Sequence, residues 1–112
     1  MGPILKPTEG ATVLFAFHLI DRPGAGTLRS ELRPLHKAYL AQVADRIAFA
    51  GPLTTDDGAA MLGSLLVIDF DSRADAEAWR AAEPFTRAGL YASASLFAFE
   101  NVWPQRAGVV AA

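Results

Sequence analysis

The stretch "LRSELRPLHKAYLAQV", Leu28–Val43, carries the residues best suited to chemistry in this chain. Arg29, Arg33, His36 and Leu40 follow one another at steps of three and four. On a helix, at roughly 100° per residue, these four share one edge, beside an apolar stripe of Leu28, Leu32, Leu35, Tyr39 and Val43. An edge position lets an imidazole reach a cleft while its carbons pack. Imidazole titrates near neutral pH, so it can take or give a proton without large tuning. Arginines one turn away favour an anionic ligand and oppose protonation of the histidine. The pattern alone leaves a plainer alternative open: a semi-exposed rim histidine with solvated arginines.

The other candidates are weaker. Glu83, in "AEPF", reads as the end of a second helix halted by Pro84. A carboxylate at a helix C-terminus sits at the unfavourable end of the dipole, which points to a partner cation or a purpose. Ser64 follows Gly63 in "LGSLL" with no local base beside it. It reads as a small residue where something approaches the strand closely rather than as a nucleophile. His18 lies on an apolar strand face with Leu14, Ala16 and Ile20, a place where backbone or water usually satisfies the ring. Asp56 and Asp57 sit together in a turn and read as turn formers. Two histidines eighteen positions apart, without a fitting carboxylate spacing, make a poor metal site. There is no glycine-rich phosphate loop and no nucleophile elbow. No cysteine occurs, which excludes disulfides, thiolate catalysis and Cys-ligated zinc.

These side chains need a scaffold. "TVLFAFHLI", Thr12–Ile20, is rich in β-branched and aromatic residues and predicts a strand buried on both faces. "DRPGAG" ends it as a turn, and Thr27 is the expected cap of a helix reaching about Arg46. Pro34 means that this helix either kinks there or begins there. Ile47–Leu53 is a short strand and "TTDDG" a hairpin-like turn, followed by a third strand over Met61–Phe70. Ser72 caps a second helix that stops near Pro84, and Tyr91–Trp103 is the fourth strand. The order β-α-β-β-α-β is the ferredoxin-like α+β unit, with two helices on one face of a four-stranded antiparallel sheet.

The length of 112 residues fits one domain with a shallow core. Residues 1–11 read as a flexible lead-in and 105–112 as a flexible tail around a domain at 12–104. The apolar share, 52%, exceeds the usual soluble average, and the uncovered sheet face is apolar as well. Both observations predict a second copy laid against that face, making a dimeric α+β barrel. The net charge is −2 with both signs scattered, so no nucleic-acid partner is expected. No apolar run approaches the ~20 residues of a membrane span, and the N-terminus lacks the pattern of a signal peptide. A cytoplasmic protein without membrane contact is the default expectation.

Five landmarks, "RPLHKAYL", "AGPLTTDDG", "LGSLLVIDFDSRADAEAW", "EPFTRAGLY" and "FENVWP", resemble the YciI-like (YCII-related) domain family in order and spacing. The resemblance covers Val13 to Trp103. It implies a ferredoxin-like fold that dimerises into an α+β barrel, and a catalytic pair of a first-helix histidine and an aspartate in a "DPF"-type motif. These map onto His36 and Glu83, the glutamate being a departure that moves the carboxylate by about one C–C bond. Arg33, Gly51, Pro52, Gly63, Ser64 and Phe85 fall on motif positions and by the resemblance line the same cleft. The implied activity is a cofactor-independent lyase or isomerase moving a proton on a small, aromatic-derived molecule. His36 would be its base, Glu83 the orienting partner and Arg33 an anion anchor. A resembling protein type removes HCl from a chlorinated hydroxyquinone; related barrels include muconolactone isomerases and cofactor-free monooxygenases. A non-catalytic ligand-binding or accessory module and a cofactor-free monooxygenase are the alternatives.

Overall fold

The computed structural model describes residues 12–103; the expected lead-in and tail lie outside them. Strands β1 (Val13–Asp21), β2 (Ile47–Thr54), β3 (Met61–Phe70) and β4 (Tyr91–Phe99) alternate with helices α1 (Gly26–Ala41), α2 (Arg73–Ala81) and α3 (Pro84–Arg87) in the ferredoxin-like order. The sheet is antiparallel throughout, ordered β2-β3-β1-β4.

The period of two in β1 builds the core. Phe15, Phe17 and Leu19 are buried beneath the helices, and their cross-strand neighbours Ile68, Leu66 and Ser64 share that face. Phe17 packs against Phe70 and Trp79, joining the sheet to α2. Full burial of one such side chain stabilises by about 1.5–3 kcal/mol. Gly63 opposes Ile20, and a Cβ there would collide with the Leu19 backbone carbonyl. Of the two sequence readings for "GS", close approach explains the glycine.

The second sheet face carries Leu14, Ala16, His18 and Ile20, with Phe49 from β2 and Phe97 and Phe99 from β4. Phe49 and Phe99 meet edge to face with centroids 6.4 Å apart, and Phe97 is 62% exposed. His18 is exposed on this face, away from the helices.

The elements depart from their expected form in four ways. First, α1 runs unbroken through Pro34, because Pro34 and the Ser30 carbonyl it cannot serve both lie on the exposed side. It starts at Gly26, ahead of the expected Thr27 cap, and no side chain caps it. It ends at Ala41; the chain then forms a 3₁₀ turn at Ala44–Arg46. Second, its inward face is rotated: Leu35, assigned to the apolar stripe, is 59% exposed, whereas Arg29 is 5% exposed. An ion pair makes that inversion affordable, as described below. Third, the second helix stops at Ala81, and Pro84 opens α3 instead of halting α2. Proline suits a first helical position, where its missing N–H has no partner to lose. Fourth, β4 ends at Phe99 rather than Trp103. The expected Ser72 cap is present, its side chain accepting from the Asp75 N–H at 3.1 Å.

Candidate active site

The break between α2 and α3 reverses the electrostatics expected at Glu83. The residue is the N-cap of α3, at the favourable end of the peptide dipoles, rather than the C-terminus of α2. Its carboxylate is almost fully enclosed and accepts four hydrogen bonds. Oε1 takes the Thr86 N–H at 3.1 Å and the Thr86 hydroxyl at 3.2 Å; Oε2 takes the Phe85 N–H at 2.9 Å. The fourth joins Oε2 to His36 Nδ1 at 2.6 Å. Burial pushes the Glu83 pKa up, but the His36 contact, the Phe85 N–H, the charge on His36 when protonated and the Thr86 N–H outweigh it, and the net shift is downward. Glu83 is therefore an ionised acceptor, so Nδ1 is the nitrogen that keeps its proton when the His36 ring is neutral. The lone pair is then on Nε2.

His36 lies flat on Phe85, with ring centroids 4.1 Å apart and planes 15° off parallel. Phe85 is fully buried, so the imidazole is held from below by a ring and from one edge by a carboxylate. The histidine is on the inward face of α1, not on a solvated rim.

A cavity of about 300 Å³ opens in front of it. From α1 come Arg29, Arg33, His36, Lys37 and Leu40; from β2, Ala50, Gly51 and Pro52; from β3, Met61, Ser64 and Leu66. The wall has three cationic side chains and no carboxylate. Among residues expected from the sequence, His36, Arg33, Gly51, Pro52 and Ser64 meet there. Glu83 and Phe85 stand behind His36 and contribute no surface; Phe85, expected to touch ligand, is instead the platform under the imidazole. Gly63 is spent on strand packing. Asp57 serves its turn, accepting from the Ala59 N–H and the Thr55 hydroxyl.

Two residues central to the site, Asp21 and Tyr91, escaped the sequence reading, and a third, Arg29, was misplaced by it. Arg29 was placed on the edge of α1 but is buried, donating to Asp21 through Nε at 2.7 Å and Nη2 at 2.9 Å. Nη2 also donates to Ser64 Oγ at 2.9 Å, and the Tyr91 hydroxyl lies 3.1 Å from the same Oγ. Burial works against the Arg29 charge, but the Asp21 hydrogen bonds and charge outweigh it and raise the pKa. Burial also pushes the Tyr91 phenol up to about 12; the Ser64 contact opposes this and the Glu83 charge adds to it. Asp21 closes β1 and Tyr91 opens β4, so their meeting depends on strand pairing, which local spacing does not reveal. The signal overlooked for Glu83 is a carboxylate just before Pro, with Thr three positions on: an N-cap with proline at the first helical position.

Among the described residues, no group of three or more His, Cys, Asp or Glu is placed to hold a metal. None of their helices is long and apolar enough to cross a membrane.

Comparison with known proteins agrees with this architecture. The model of the YCII-related domain matches residues 13–100. The protein YciI of Escherichia coli O6:H1 and that of Shigella flexneri are each 33% identical over 98 residues, covering 81% of this chain and all of theirs. Among solved structures, the 5-chloro-2-hydroxyhydroquinone dehydrochlorinase TftG of Burkholderia phenoliruptrix AC1100, in complex with 2,5-dihydroxybenzoquinone, superposes with a TM-score of 0.73. It is 31% identical, covering 78% of this chain and 93% of TftG.

Proposed function

Because the chain belongs to the YCII-related domain family, we propose that it is a cofactor-independent lyase or isomerase that moves a proton on a small hydroxylated, aromatic-derived molecule. The observation that carries this reading is the 2.6 Å contact between buried Glu83 and His36 Nδ1, with the histidine on the wall of an open cavity. Glu83 fixes the tautomer, so Nε2 is the base. When Nε2 takes a proton, the imidazolium forms against a carboxylate already held by two backbone N–H groups. The stack on Phe85 fixes the ring plane, so little reorganisation accompanies the transfer. Arg33 and Lys37 on the cavity wall favour an anionic ligand.

The likeness to a dehydrochlorinase narrows the reaction to test. For a chlorinated hydroxyhydroquinone, the carbon that bears chlorine takes up one ring-hydroxyl proton as the ring ketonises, a second hydroxyl proton passes to Nε2, and chloride leaves with its bonding pair. HCl is lost and a hydroxyquinone remains, without oxidant or reductant. Chloride release from 5-chloro-2-hydroxyhydroquinone and related chlorophenols tests this. The wild type should release chloride and His36→Ala should not, while the circular dichroism spectrum stays unchanged and the melting temperature falls, because Glu83 loses one of its four donors. Turnover in His36→Ala equal to that of the wild type would remove His36 from the mechanism.

The exposed aromatic sheet face supports a second part of the proposal. Phe49, Phe97 and Phe99 form an apolar surface suited to a second copy of the chain, sheet to sheet. Sedimentation equilibrium of the wild type should give twice the chain mass, and Phe97→Glu should shift it toward the monomer.

A further inference from the structure

The proton-transfer reading leaves unused the cluster of Asp21, Arg29, Ser64 and Tyr91, which reaches the cavity wall through Arg29 and Ser64. Its donor count fixes where one hydrogen goes. A guanidinium only donates, so Ser64 Oγ accepts from Arg29 Nη2. The 3.1 Å contact between Ser64 Oγ and the Tyr91 hydroxyl has two directions. Among the described residues, Tyr91 has no side-chain acceptor other than Ser64, because the neighbouring guanidinium cannot accept. Tyr91 contributes no surface to the cavity. If Ser64 donated to Tyr91, the phenol hydrogen would point away from the cavity with no partner among these residues. If Tyr91 donates, both lone pairs of Ser64 Oγ are used, and its own hydrogen is left for the cavity that Ser64 lines.

From this count we infer that Ser64 is a pre-aimed hydrogen-bond donor for a carbonyl or enolate oxygen of the ligand, with Tyr91 as the positioning residue that turns its hydroxyl and Arg29 as the cation that polarises it. Asp21 largely neutralises Arg29, so the arrangement adds a directed donor rather than net charge. Ser64 is buried, with 2% exposure, so the donor acts away from bulk water, where such a bond counts most. The substrate class that follows is a single ring, or a chain of similar size, whose oxygen gains negative charge as a neighbouring position loses a proton to His36. Quinones and hydroxyquinones have this property. The inference rests on the His36 pocket being the ligand site.

Calorimetric titration with 2,5-dihydroxybenzoquinone tests it. Ser64→Ala should weaken binding about tenfold or more, as expected for one lost hydrogen bond to a charged acceptor. Tyr91→Phe should weaken it about threefold, with the far-ultraviolet spectrum unchanged. In the Ser64→Ala background, Tyr91→Phe should have no further effect, a non-additivity that a structural role for the ring would not produce. Wild-type affinity in Ser64→Ala, additive losses in the double variant, or no saturable binding to the wild type would each overturn the inference. Failure of the His36 reading looks different: chloride release would survive His36→Ala while the Ser64 effect on binding stood.

Discussion

Replacing Glu83 by glutamine changes one atom and removes one charge, and its cost can be worked out from the four donors around the carboxylate. All four donors point at oxygens: His36 Nδ1–H and Phe85 N–H at Oε2, Thr86 N–H and its hydroxyl at Oε1. An amide has one oxygen and one NH2. Whichever way it is turned, the NH2 faces a backbone N–H that then has no acceptor. One unsatisfied buried donor costs about 1–3 kcal/mol, and the hydrogen bonds that survive lose their charge assistance. Loss of about 2–4 kcal/mol is therefore expected at pH 7, measured by urea unfolding. The pH dependence has a definite sign. The folded pKa of Glu83 lies below that of the unfolded chain, so its contribution is complete above the unfolded value of about 4.3 and disappears as pH falls through the depressed folded value. The gap between wild type and Glu83→Gln should therefore be widest near pH 7 and narrow below about pH 4. A gap that stays constant from pH 7 to pH 3, or a variant as stable as the wild type at pH 7, would refute an ionised Glu83 in the folded protein. The same variant should lose two or more orders of magnitude in turnover, because an amide can stabilise the wrong imidazole tautomer and does not balance the imidazolium.

Two further predictions concern other parts of the fold. Gly63→Ala should lower stability by about 1–3 kcal/mol or more, because its methyl meets a backbone carbonyl that cannot swing aside; thermal unfolding measures it, and a wild-type melting temperature would contradict the close approach of β1 and β3. Tyr91 should not ionise near pH 10 in the folded protein, since burial lifts its phenol to about 12, and burial shifts Tyr39 in the same direction. Phenol groups with raised folded pKa values contribute stability below pH ~10 that is lost as pH rises through those values, so phenolate absorbance should rise together with alkaline unfolding.

How much of this was legible beforehand depended on whether the signal was local. The bounds of β3 could be read from a mostly apolar ten-residue stretch between the TTDDG turn and an Asp-Ser cap. The Ser72 cap declared itself through a helix-favouring run after it. Glu83 was misplaced because Pro84 reads equally well as the stop of one helix or the first residue of the next; only the intervening break at Ala82 decides between them. Arg29 was misjudged for a non-local reason. Helical spacing assigns a charge to the rim by default, and the carboxylate that overrides this default ends a strand eight residues earlier. Leu35 is the counterpart of that error, an apolar residue turned out because the ion-paired edge of α1 turned in. The partnership of Ser64 with Tyr91 was hidden for the same reason, joining strands that pair only through β1 between them.

The pentapeptide Glu83–Arg87 supplies the acceptor for the imidazole, the aromatic platform beneath it and the donors that hold the acceptor. The wall facing it belongs to a separate piece of chain, the β2–β3 hairpin, through Ala50, Gly51, Pro52 and Met61. Proton handling and molecular fit are thus written on different segments. Exchanges along the hairpin, such as a larger residue at Gly51, where an added Cβ would meet no other atom within 4 Å, can retailor the cavity for a new compound without disturbing the base. For a designer this makes Ala50, Gly51, Pro52 and Met61 the place to randomise, with Gly63 and Ser64 kept, and the pentapeptide the place to leave alone.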